Sequence, residues 1–251
     1  MLDYKIQEAR YILLRAKKLA ELDLEEKNIN RSEFKGLIMF SGGKDSIVAS
    51  HLAINAIGVN DAFSETSLLQ ESLKEEIVKT GNSLGLKVSS NDQLPPKVFV
   101  KYWLRNLPPV KWKPSTLDAS RHWKSIPSFA KKYNPNLMIF GRRLEENTIP
   151  EPIYKKKSLN IYQVHPIYNW TRAEVFDYMH KYDLFYPTCY KNGAKHLFTI
   201  VSLGQQAYKQ TGRMDDVFDV WYKYGKEYLI EAQAVDSRVV TYLENKNNGN
   251  S

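Results

Sequence analysis

Residues 39–46 of this 251-residue chain read Met-Phe-Ser-Gly-Gly-Lys-Asp-Ser. The apolar run at 36–40 leads into this stretch, and from residue 44 to 56 the apolar side chains recur at helical spacing. An apolar run, a glycine-rich turn and an amphipathic helix are the elements that open a βαβ unit. The stretch therefore predicts an α/β fold in which a loop joins the first strand of a parallel sheet to a helix.

The loop has the composition of a phosphate-binding site. Gly42 and Gly43 permit backbone conformations that other residues resist, so amide N–H groups can point at an anion. A helix that begins near Lys44 adds the positive end of its dipole, and Lys44 itself supplies a cation. Ser41 and Ser46 supply hydroxyl groups. We predict that this loop binds a phosphate or pyrophosphate group.

The loop does not match the Walker A pattern, which has four residues between its first glycine and the Gly-Lys pair. Ser-Gly-Gly-Lys-Asp-Ser instead resembles the PP-loop of the ATP pyrophosphatase superfamily. The resemblance implies a doubly wound, mostly parallel sheet of the Rossmann-like, adenine nucleotide alpha hydrolase type. It also implies that ATP or a related adenine nucleotide binds here and reacts at its α-phosphate, with Lys44 and Asp45 as catalytic residues. Asp45 is unexpected beside an anion, and a structural role in the loop or a link to Mg²⁺ would explain it.

A second segment, at 141–147, reads Gly-Arg-Arg-Leu-Glu-Glu-Asn and follows another apolar run. It resembles the Gly-x-Arg-x-x-Glu-Ser segment of the phosphoadenosine phosphosulfate (PAPS) reductase family, with Asn in place of the final Ser. The matching residues are Gly141, Arg143 and Glu146, which the resemblance places in the nucleotide site. A guanidinium at the carboxyl end of a strand can grip phosphate or sulfate in a fork. We assign that role to Arg143 rather than Arg142 and expect Arg143 to be catalytic.

A third segment, at 165–171, reads His-Pro-Ile-Tyr-Asn-Trp-Thr and is similar to the same family's Pro-Ile-x-x-Trp-Thr run. Trp170 and Tyr178 are interpreted as packing residues rather than ligands. Glu65 and the threonine after it resemble the family's Glu-Thr pair, although the Asp-Thr-Gly that usually precedes that pair is missing. The resemblance extends over about residues 35–200.

The cysteines depart from the family pattern. Reductases of this family that carry an iron–sulfur cluster use a Cys-Cys pair and a later Cys-x-x-Cys; here those positions hold His122-Trp123 and, at 199–202, Thr-Ile-Val-Ser. Members without a cluster keep a catalytic cysteine in a Glu-Cys-Gly segment near the C-terminus, which residues 204–251 lack. The single cysteine, Cys189, lies in a segment that is typical of a turn. We therefore expect no iron–sulfur cluster, and sulfonucleotide reduction, which needs a thiolate, is disfavoured.

The positive charge of the chain is concentrated in its middle. The net charge is +8, whereas residues 97–157 alone carry fourteen lysines and arginines against four acidic residues, an excess of ten. Trp103, Trp112 and Trp123 lie among these cations and could stack on bases while the cations follow a phosphate backbone. A solvated basic surface that serves only solubility explains the same composition equally well.

The chain is expected to divide into four parts. Residues 1–34 form an N-terminal helical extension, because apolar residues from Leu2 to Ala20 recur on one face. This helix is expected to pack on the main domain, and a homodimer or protein contact through it stays open. Residues 35–205 form the nucleotide-binding domain, 206–245 a C-terminal helical segment, and 246–251 a tail too polar to fold alone.

Further elements follow from periodicity and from turn residues. Strands are predicted at 62–63, 85–88, 137–140 and 161–167, and helices at 67–84, 121–133, 172–182 and over most of 215–243. Thr171 is predicted to begin its helix as part of a capping box with Glu174. His165, in the last of the strands, is interpreted as structural. The sequence contains no apolar run long enough for a membrane span, and a cytoplasmic protein is expected.

Three functions are compatible with these features. The favoured one is an enzyme that binds ATP with Mg²⁺, directs an unidentified acceptor to the α-phosphorus and releases pyrophosphate. The second is reduction of PAPS or adenosine phosphosulfate, which the family resemblance suggests and the cysteine content disfavours. The third is a nucleotide-binding subunit of an assembly that modifies nucleic acid, for example by DNA sulfur modification, with the basic middle segment as the contact surface.

Overall fold

The fold is given by a computed structural model, which describes residues 2–64, 71–90, 128–146, 149, 151–185, 204, 207–208, 210–224, 226–234 and 236–248. The chain falls into two compact units. The first comprises Met1–Glu65, Glu75–Asn91 and Ala119–Leu197, and the second comprises Thr66–Lys74, Asp92–Asp118 and Phe198–Ser251.

Six strands form one sheet in the first unit. They are β1 (Gly36–Met39), β2 (Asp61–Ser64), β3 (Lys87–Ser90), β4 (Leu137–Phe140), β5 (Ile153–Lys156) and β6 (Ile161–Val164). Their order is β3-β2-β1-β4-β6-β5, and only β5, at one edge, runs antiparallel to its neighbour. The predicted doubly wound, mostly parallel sheet is confirmed. From β1 the chain adds β2 and β3 on one side of the sheet and then β4 and the later strands on the other. In folds of this class a ligand crevice lies between the two central strands, here β1 and β4, beyond their carboxyl ends.

Helices flank the sheet in the first unit and make up the described part of the second. In chain order they are α1 (Leu2–Glu26), α2 (Lys44–Ile57), α3 (Glu71–Ser83), α4 (Arg172–Lys181), α5 (Met214–Tyr224), α6 (Lys226–Gln233) and α7 (Ser237–Asn247). Residues 128–133 are also helical, as predicted for the end of the segment 121–133, of which residues 121–127 lie outside the described part. None of the helices in the described part is both long and apolar enough to span a membrane.

The predicted amphipathic N-terminal helix is confirmed as α1. Its buried face carries Ala9, Leu13, Ala16 and Ala20, which have no exposed surface. Three of these four residues are alanines, and small side chains allow a helix to approach its neighbours closely. This face packs against α2 and β6 in the first unit. Burial of the apolar face against the sheet layer therefore stabilises α1, as is usual for an amphipathic helix.

The predicted capping box at the start of α4 is confirmed. The Thr171 hydroxyl accepts a hydrogen bond from the backbone N–H of Glu174 at 3.2 Å, and the Glu174 carboxylate accepts one from the backbone N–H of Thr171 at 2.7 Å. Two donors that the first turn of a helix leaves without partners are thereby satisfied. Tyr178 and Trp170, predicted to be packing residues, are buried and make an edge-to-face contact with ring centroids 5.6 Å apart.

The edge strand β5 was not predicted. Its sequence, Ile-Tyr-Lys-Lys, has the charges of a surface loop, but an edge strand needs apolar contacts on only one side. The prediction that β6 extends to residue 167 was wrong, since the strand ends at Val164. Pro166 has no N–H to donate to a strand, and the chain turns there with a hydrogen bond from Tyr168 N–H to the His165 carbonyl at 3.2 Å. β3 begins at Lys87, because Gly85, with φ of 78°, first closes the preceding turn.

The second unit has a small core of its own. Val217, Phe218 and Trp221 of α5 pack with Leu229 of α6 and Val239 of α7. The described residues of the segment predicted to be mostly helical at 215–243 lie in α5, α6 and α7, as predicted. The side chain of Asp236 caps α7 by accepting a hydrogen bond from the backbone N–H of Arg238 at 3.0 Å.

Candidate active site

The loop after β1 depends on glycine at position 42. Gly42 has a φ of 72°, a conformation that side chains other than glycine rarely adopt. A Cβ atom there would lie 2.5 Å from the Ile77 side chain of α3. Both the backbone and the packing therefore require the first glycine of the loop, for which the sequence had supplied only the backbone argument.

The start of α2 is not capped by the side chain at its N-cap position. Gly43 is the N-cap, and no side-chain cap forms there. Ser41 accepts a hydrogen bond from the backbone N–H of Gly43 at 3.3 Å and lies 3.1 Å from the Ser46 hydroxyl, which donates to the Gly43 carbonyl at 2.9 Å. These bonds hold the loop in shape. The first N–H groups of a helix, together with its dipole, are a binding site for an anion.

Gly141 is the residue after β4, and it packs against the start of α2. A Cβ atom on Gly141 would lie 2.5 Å from the backbone carbonyl atoms of Asp45 and 2.6 Å from the backbone nitrogen of Ser46. Backbone cannot move aside as a flexible side chain can, so only glycine fits at this point. Gly141, which the sequence places in the nucleotide site, thus lies against the first turn of α2.

Arg143 lies at the centre of an ion-pair cluster and is only 1% exposed. Its Nε atom donates to Asp45 Oδ1 at 2.6 Å, and its Nη2 atom donates to Glu146 Oε1 at 2.6 Å. The Nη1 atom bonds to the Glu145 carboxylate and to the backbone carbonyl of Trp170 at 3.3 Å. The guanidinium that the sequence predicts to grip an anion therefore binds carboxylates of the protein in this structure.

Lys44 belongs to the same cluster and is 2% exposed. Its Nζ atom lies 2.6 Å from Asp45 Oδ2 and 3.5 Å from Glu146 Oε1. Asp45 and Glu146 each contact both cations, so they bridge Lys44 and Arg143. Buried charges are tolerated only with this kind of close pairing, because desolvation of an isolated ion costs several kcal/mol. We call Lys44, Asp45, Arg143, Glu145 and Glu146 the charge cluster.

The cluster keeps Arg143 charged. Burial opposes the charged form, but Asp45, Glu145 and Glu146 outweigh it and raise the pKa of Arg143 above its ordinary value. The hydrogen bond from Arg143 in turn holds the pKa of Glu145 below its usual range. Arg143 is therefore a permanent cation, suited to holding charge and geometry rather than to moving protons. The sequence missed Glu145, because an acidic residue beside an arginine is also a common surface pair.

The segment at 165–171 supports the turn that carries the charge cluster. The backbone N–H of Leu144 donates to the Tyr168 carbonyl at 2.7 Å, and that of Arg172 donates to Glu145 Oε2 at 3.2 Å. The second and third segments that resemble the PAPS reductase family are thus in direct contact. The sequence could not show this contact, because the contacting residues Glu145 and Arg172 are 27 positions apart in the chain.

Arg142 and His165 form a separate group beside β4. The Arg142 guanidinium lies 4.9 Å from the centre of the Phe140 ring, and the His165 ring is stacked between the rings of Phe140 and Tyr154, at 5.4 and 5.7 Å. Neither ring nitrogen of His165 has a hydrogen-bond partner among the described residues. Burial, with a contribution from Arg142, lowers the pKa of His165 to about 4. His165 is therefore neutral at physiological pH, in agreement with its predicted structural role.

Several predicted functional positions lie outside the described residues. They are Glu65 with its following threonine, Asn147, most of the basic stretch, His122, Trp123, Cys189 and residues 199–202. Among the residues that the structure does describe, no group of three or more His, Cys, Asp or Glu side chains is arranged to hold a metal ion. Asp45 and Glu146 are only partly buried, and their oxygens are ligands of the kind that Mg²⁺ accepts.

Comparison with known proteins identifies the domain that carries this site. The family described as the phosphoadenosine phosphosulfate reductase domain matches residues 35–215. The chain belongs to this family. The PAPS reductase domain begins one residue before β1 and includes the loop, Gly141 and the whole charge cluster, while α1 lies outside it. The expected family membership is thereby confirmed.

A solved structure shares the fold of the PAPS reductase domain. The crystal structure of phosphoadenylyl-sulfate (PAPS) reductase from Candida auris, in complex with phosphate, superimposes with a TM-score of 0.53. The two proteins are 15% identical, and the match covers 79% of this chain and 93% of the other. At that identity the likeness shows the fold alone. No curated protein matches the chain in sequence.

Proposed function

We propose that the loop at 41–46 binds the phosphates of ATP and that the enzyme transfers the adenylyl group to an acceptor. The observation that carries this proposal is the start of α2 at the topological switch point of the sheet. There Gly43 provides no side-chain cap, and the end of β4 touches the helix backbone. The first backbone N–H groups of such a helix are hydrogen-bond donors for an anion. Membership of the PAPS reductase family, and a phosphate complex of the Candida auris protein that shares the fold, support an anionic ligand.

The reaction needs no covalent enzyme intermediate. An oxygen or other nucleophilic atom of the acceptor forms a bond to the α-phosphorus, and the bond from that phosphorus to the bridging oxygen of the β-phosphate breaks. Pyrophosphate leaves with the electron pair, and the proton of the acceptor passes to solvent. In this proposal the N–H groups at the start of α2 and the Lys44 ammonium stabilise the charge on the leaving pyrophosphate.

Arg143 has a different role in this scheme from the one the sequence suggested. Its three nitrogens bind protein carboxylates and a carbonyl, so it acts on the nucleotide through Asp45, the second residue of α2. We assign it as a positioning residue that holds the loop and helix in the binding geometry. Mg²⁺ would enter with the nucleotide, held by its phosphates and by Asp45 or Glu146, and would neutralise phosphate charge.

Nucleotide binding is the first test. ATP affinity is measured by calorimetry for the wild type, for Lys44→Ala and for Lys156→Ala, which removes an exposed lysine from β5. Removal of a charged hydrogen-bond donor costs about 1.5–3 kcal/mol, so Lys44→Ala is expected to weaken ATP binding by more than about tenfold. Equal affinities for all three proteins, with unchanged circular dichroism, would show that ATP does not bind at Lys44.

The reaction type is tested by a pyrophosphate-release screen. ATP and Mg²⁺ are offered with nucleic acids, sulfur donors and small metabolites as acceptors. Pyrophosphate release that depends on Lys44, together with an adenylated product, supports adenylyl transfer. If ATP binds but no acceptor causes pyrophosphate release, the nucleotide site stands and adenylyl transfer to nucleic acids, sulfur donors and small metabolites is overturned.

Sulfonucleotide reduction is the second candidate. It is favoured by the family, and by the fact that the similar Candida auris structure is that of a PAPS reductase. It requires a thiolate that attacks the sulfur of PAPS, and Cys189 is the only thiol among the 251 residues. The assay supplies PAPS and a reduced dithiol protein and measures sulfite. Sulfite release by the wild type that is lost in Cys189→Ser would replace our proposal with this one.

A further inference from the structure

α1 carries apolar residues on the face opposite its buried one. Besides the alanine-rich face that packs on the first unit, four large apolar side chains are exposed on this single helix. They are Tyr4, Tyr11, Leu14 and Leu22, with exposed fractions of 72%, 65%, 53% and 39%. We call these four residues the outer stripe. It is unusual for a solvated helix surface, which normally carries polar residues on the side away from the core.

The residues of the outer stripe are aligned. At 3.6 residues per turn, their side chains project within about 80° of one another around the helix axis. From Tyr4 to Leu22 the stripe extends over about 27 Å, at a rise of 1.5 Å per residue. Exposed apolar side chains that are aligned along one helix face are typical of an interaction site, and tyrosine is among the residues enriched in interfaces.

The spacing of the outer stripe is nearly the same in both directions. Two tyrosines are followed by two leucines, with separations of seven, three and eight residues. When a second α1 runs antiparallel, Tyr4 comes level with Leu22 of the second copy, and Tyr11 comes within one residue of Leu14. A contact between identical chains related by a two-fold axis requires a patch that is complementary to itself. The outer stripe meets that requirement.

The charge on the stripe determines the direction of pairing. Lys18 is exposed on the same face, between Leu14 and Leu22. In a parallel pair Lys18 would face its own copy, and like charges directly opposed are unfavourable. In the antiparallel pair Lys18 comes level with Glu8 of the second copy, an opposite charge.

We propose that two copies of this chain form an antiparallel dimer through the outer stripes of their α1 helices. A single pair of helices buries less surface than the roughly 800 Å² per partner of a standard stable interface. The dimer therefore dissociates in the micromolar range, and its population depends on protein concentration. The interface involves none of the loop at 41–46 or the charge cluster, so it stands independently of the proposed reaction.

Sedimentation equilibrium tests the interface with a matched pair of variants. Leu14→Asp places a charge in the outer stripe, and Ile230→Asp places one at an apolar helix position of almost equal exposure, 54%, in the second unit. The wild type and Ile230→Asp are expected to dimerise, and Leu14→Asp to raise the dissociation constant by more than about tenfold, as loss of a central contact does. A wild type that stays monomeric at about 100 μM, where a micromolar dimer would be saturated, overturns the proposal.

A disulfide test determines the direction of pairing even where a charged variant disturbs folding. In a Cys189→Ser background, Tyr4→Cys and Leu22→Cys chains are prepared separately, mixed and oxidised. The antiparallel dimer predicts a cross-linked product from the mixture and little from either chain alone. Cross-linking of Tyr4→Cys chains with one another, at a rate equal to that in the mixture, would contradict the antiparallel arrangement.

Discussion

Two glycines with nearly the same left-handed backbone flank α2. Gly42, with φ of 72°, lies just before its start, and Gly58, with φ of 71°, lies just after its end. At the end, the backbone N–H of Gly58 donates to the Ile54 carbonyl at 3.1 Å and closes the helix. A Cβ atom on Gly58 would have no neighbour within 4 Å, whereas one on Gly42 would lie 2.5 Å from Ile77.

The two ends therefore use one conformation for different purposes. At the end of α2, the backbone N–H of Gly58 bonds to a carbonyl of the same helix, and no other described part of the fold packs against the position of a Gly58 Cβ atom. The start has no side-chain cap at Gly43 and is instead held by tertiary contacts, from Gly141 and from Arg143 through Asp45. A helix start that is fixed in place but lacks a side-chain cap is suited to an anionic ligand. Gly58 therefore serves to end the helix, whereas Gly42 shapes the loop at which we propose that the ligand binds.

The largest effect is expected when the contact of Arg143 with Asp45, at the start of α2, is removed. Arg143→Met leaves Asp45, Glu145 and Glu146 without their shared cation, and breaking a buried charge network costs about 3 kcal/mol of the free energy of unfolding. Urea denaturation measures the loss, and calorimetry measures the accompanying loss of ATP affinity. Arg142→Met is the control, since this neighbour is exposed and its cation–π contact with Phe140 is worth about 1 kcal/mol or less. Similar losses in both variants would show that the charge cluster does not stabilise the fold.

The next effect compares the two glycines directly. Gly58→Ala is expected to cost about 1 kcal/mol, from the strained backbone alone. Gly42→Ala carries the same strain and adds a clash with Ile77, so its total cost is about 2–3 kcal/mol. Thermal denaturation gives both values. ATP binding should fall only for Gly42→Ala, and a fall of the same size for Gly58→Ala would remove the functional distinction between the two ends.

A smaller change would convert the start of α2 into a capped helix. Gly43 has φ of −76° and ψ of 156°, which other residues adopt without strain. Gly43→Asp would cap the helix and favour its dipole, changing stability by only a few tenths of a kcal/mol. The added carboxylate would occupy the anion site, so ATP affinity should fall by about tenfold or more. Unchanged affinity in this variant would indicate that phosphate binds elsewhere.

The smallest effect is expected from a histidine between the two ends. His51 Nδ1 lies 2.8 Å from the Tyr178 hydroxyl, and burial lowers the pKa of His51 below its ordinary value of 6.5. The unfolded chain then takes up a proton at His51 more readily than the folded one. The contribution of His51 to the free energy of unfolding is therefore fully present above pH 6.5 and decreases as the pH falls below that value. His165 contributes with the same sign. The contribution of His51 is measured by comparing the free energy of unfolding of the wild type and of His51→Gln as a function of pH. Between neutral pH and pH about 5, the free energy of unfolding of His51→Gln should decrease less than that of the wild type.

Local features of the sequence were predicted well. The strand, loop and helix around residues 36–57 follow from an apolar run, two glycines and helical spacing, all within about twenty residues. The capping box at Thr171 is equally local, because it depends on residues three positions apart. The strand β4 was predicted as observed, since four consecutive apolar residues at the centre of a sheet are buried on both faces.

Features that depend on distant partners were predicted incompletely. The position of Arg143 at the edge of β4 followed from its motif, but its carboxylate partners did not. Asp45 is 98 positions away in the chain, and the two meet only because β1 and β4 pair in parallel and end at the same edge. The edge strand β5 was missed for a related reason, because its pairing with β6, rather than its own composition, makes it a strand.

The amino-acid sequence by itself determined the glycine-rich loop, its place between a strand and a helix, and the family to which the chain belongs. These depend on backbone preferences and on motifs that are short in the chain. Only the tertiary structure decided that Arg143 and Lys44 are buried together, and that Gly141 must be glycine because Asp45 lies against it. Burial and close approach are properties of groups brought together by the sheet, and no local pattern records which groups those are.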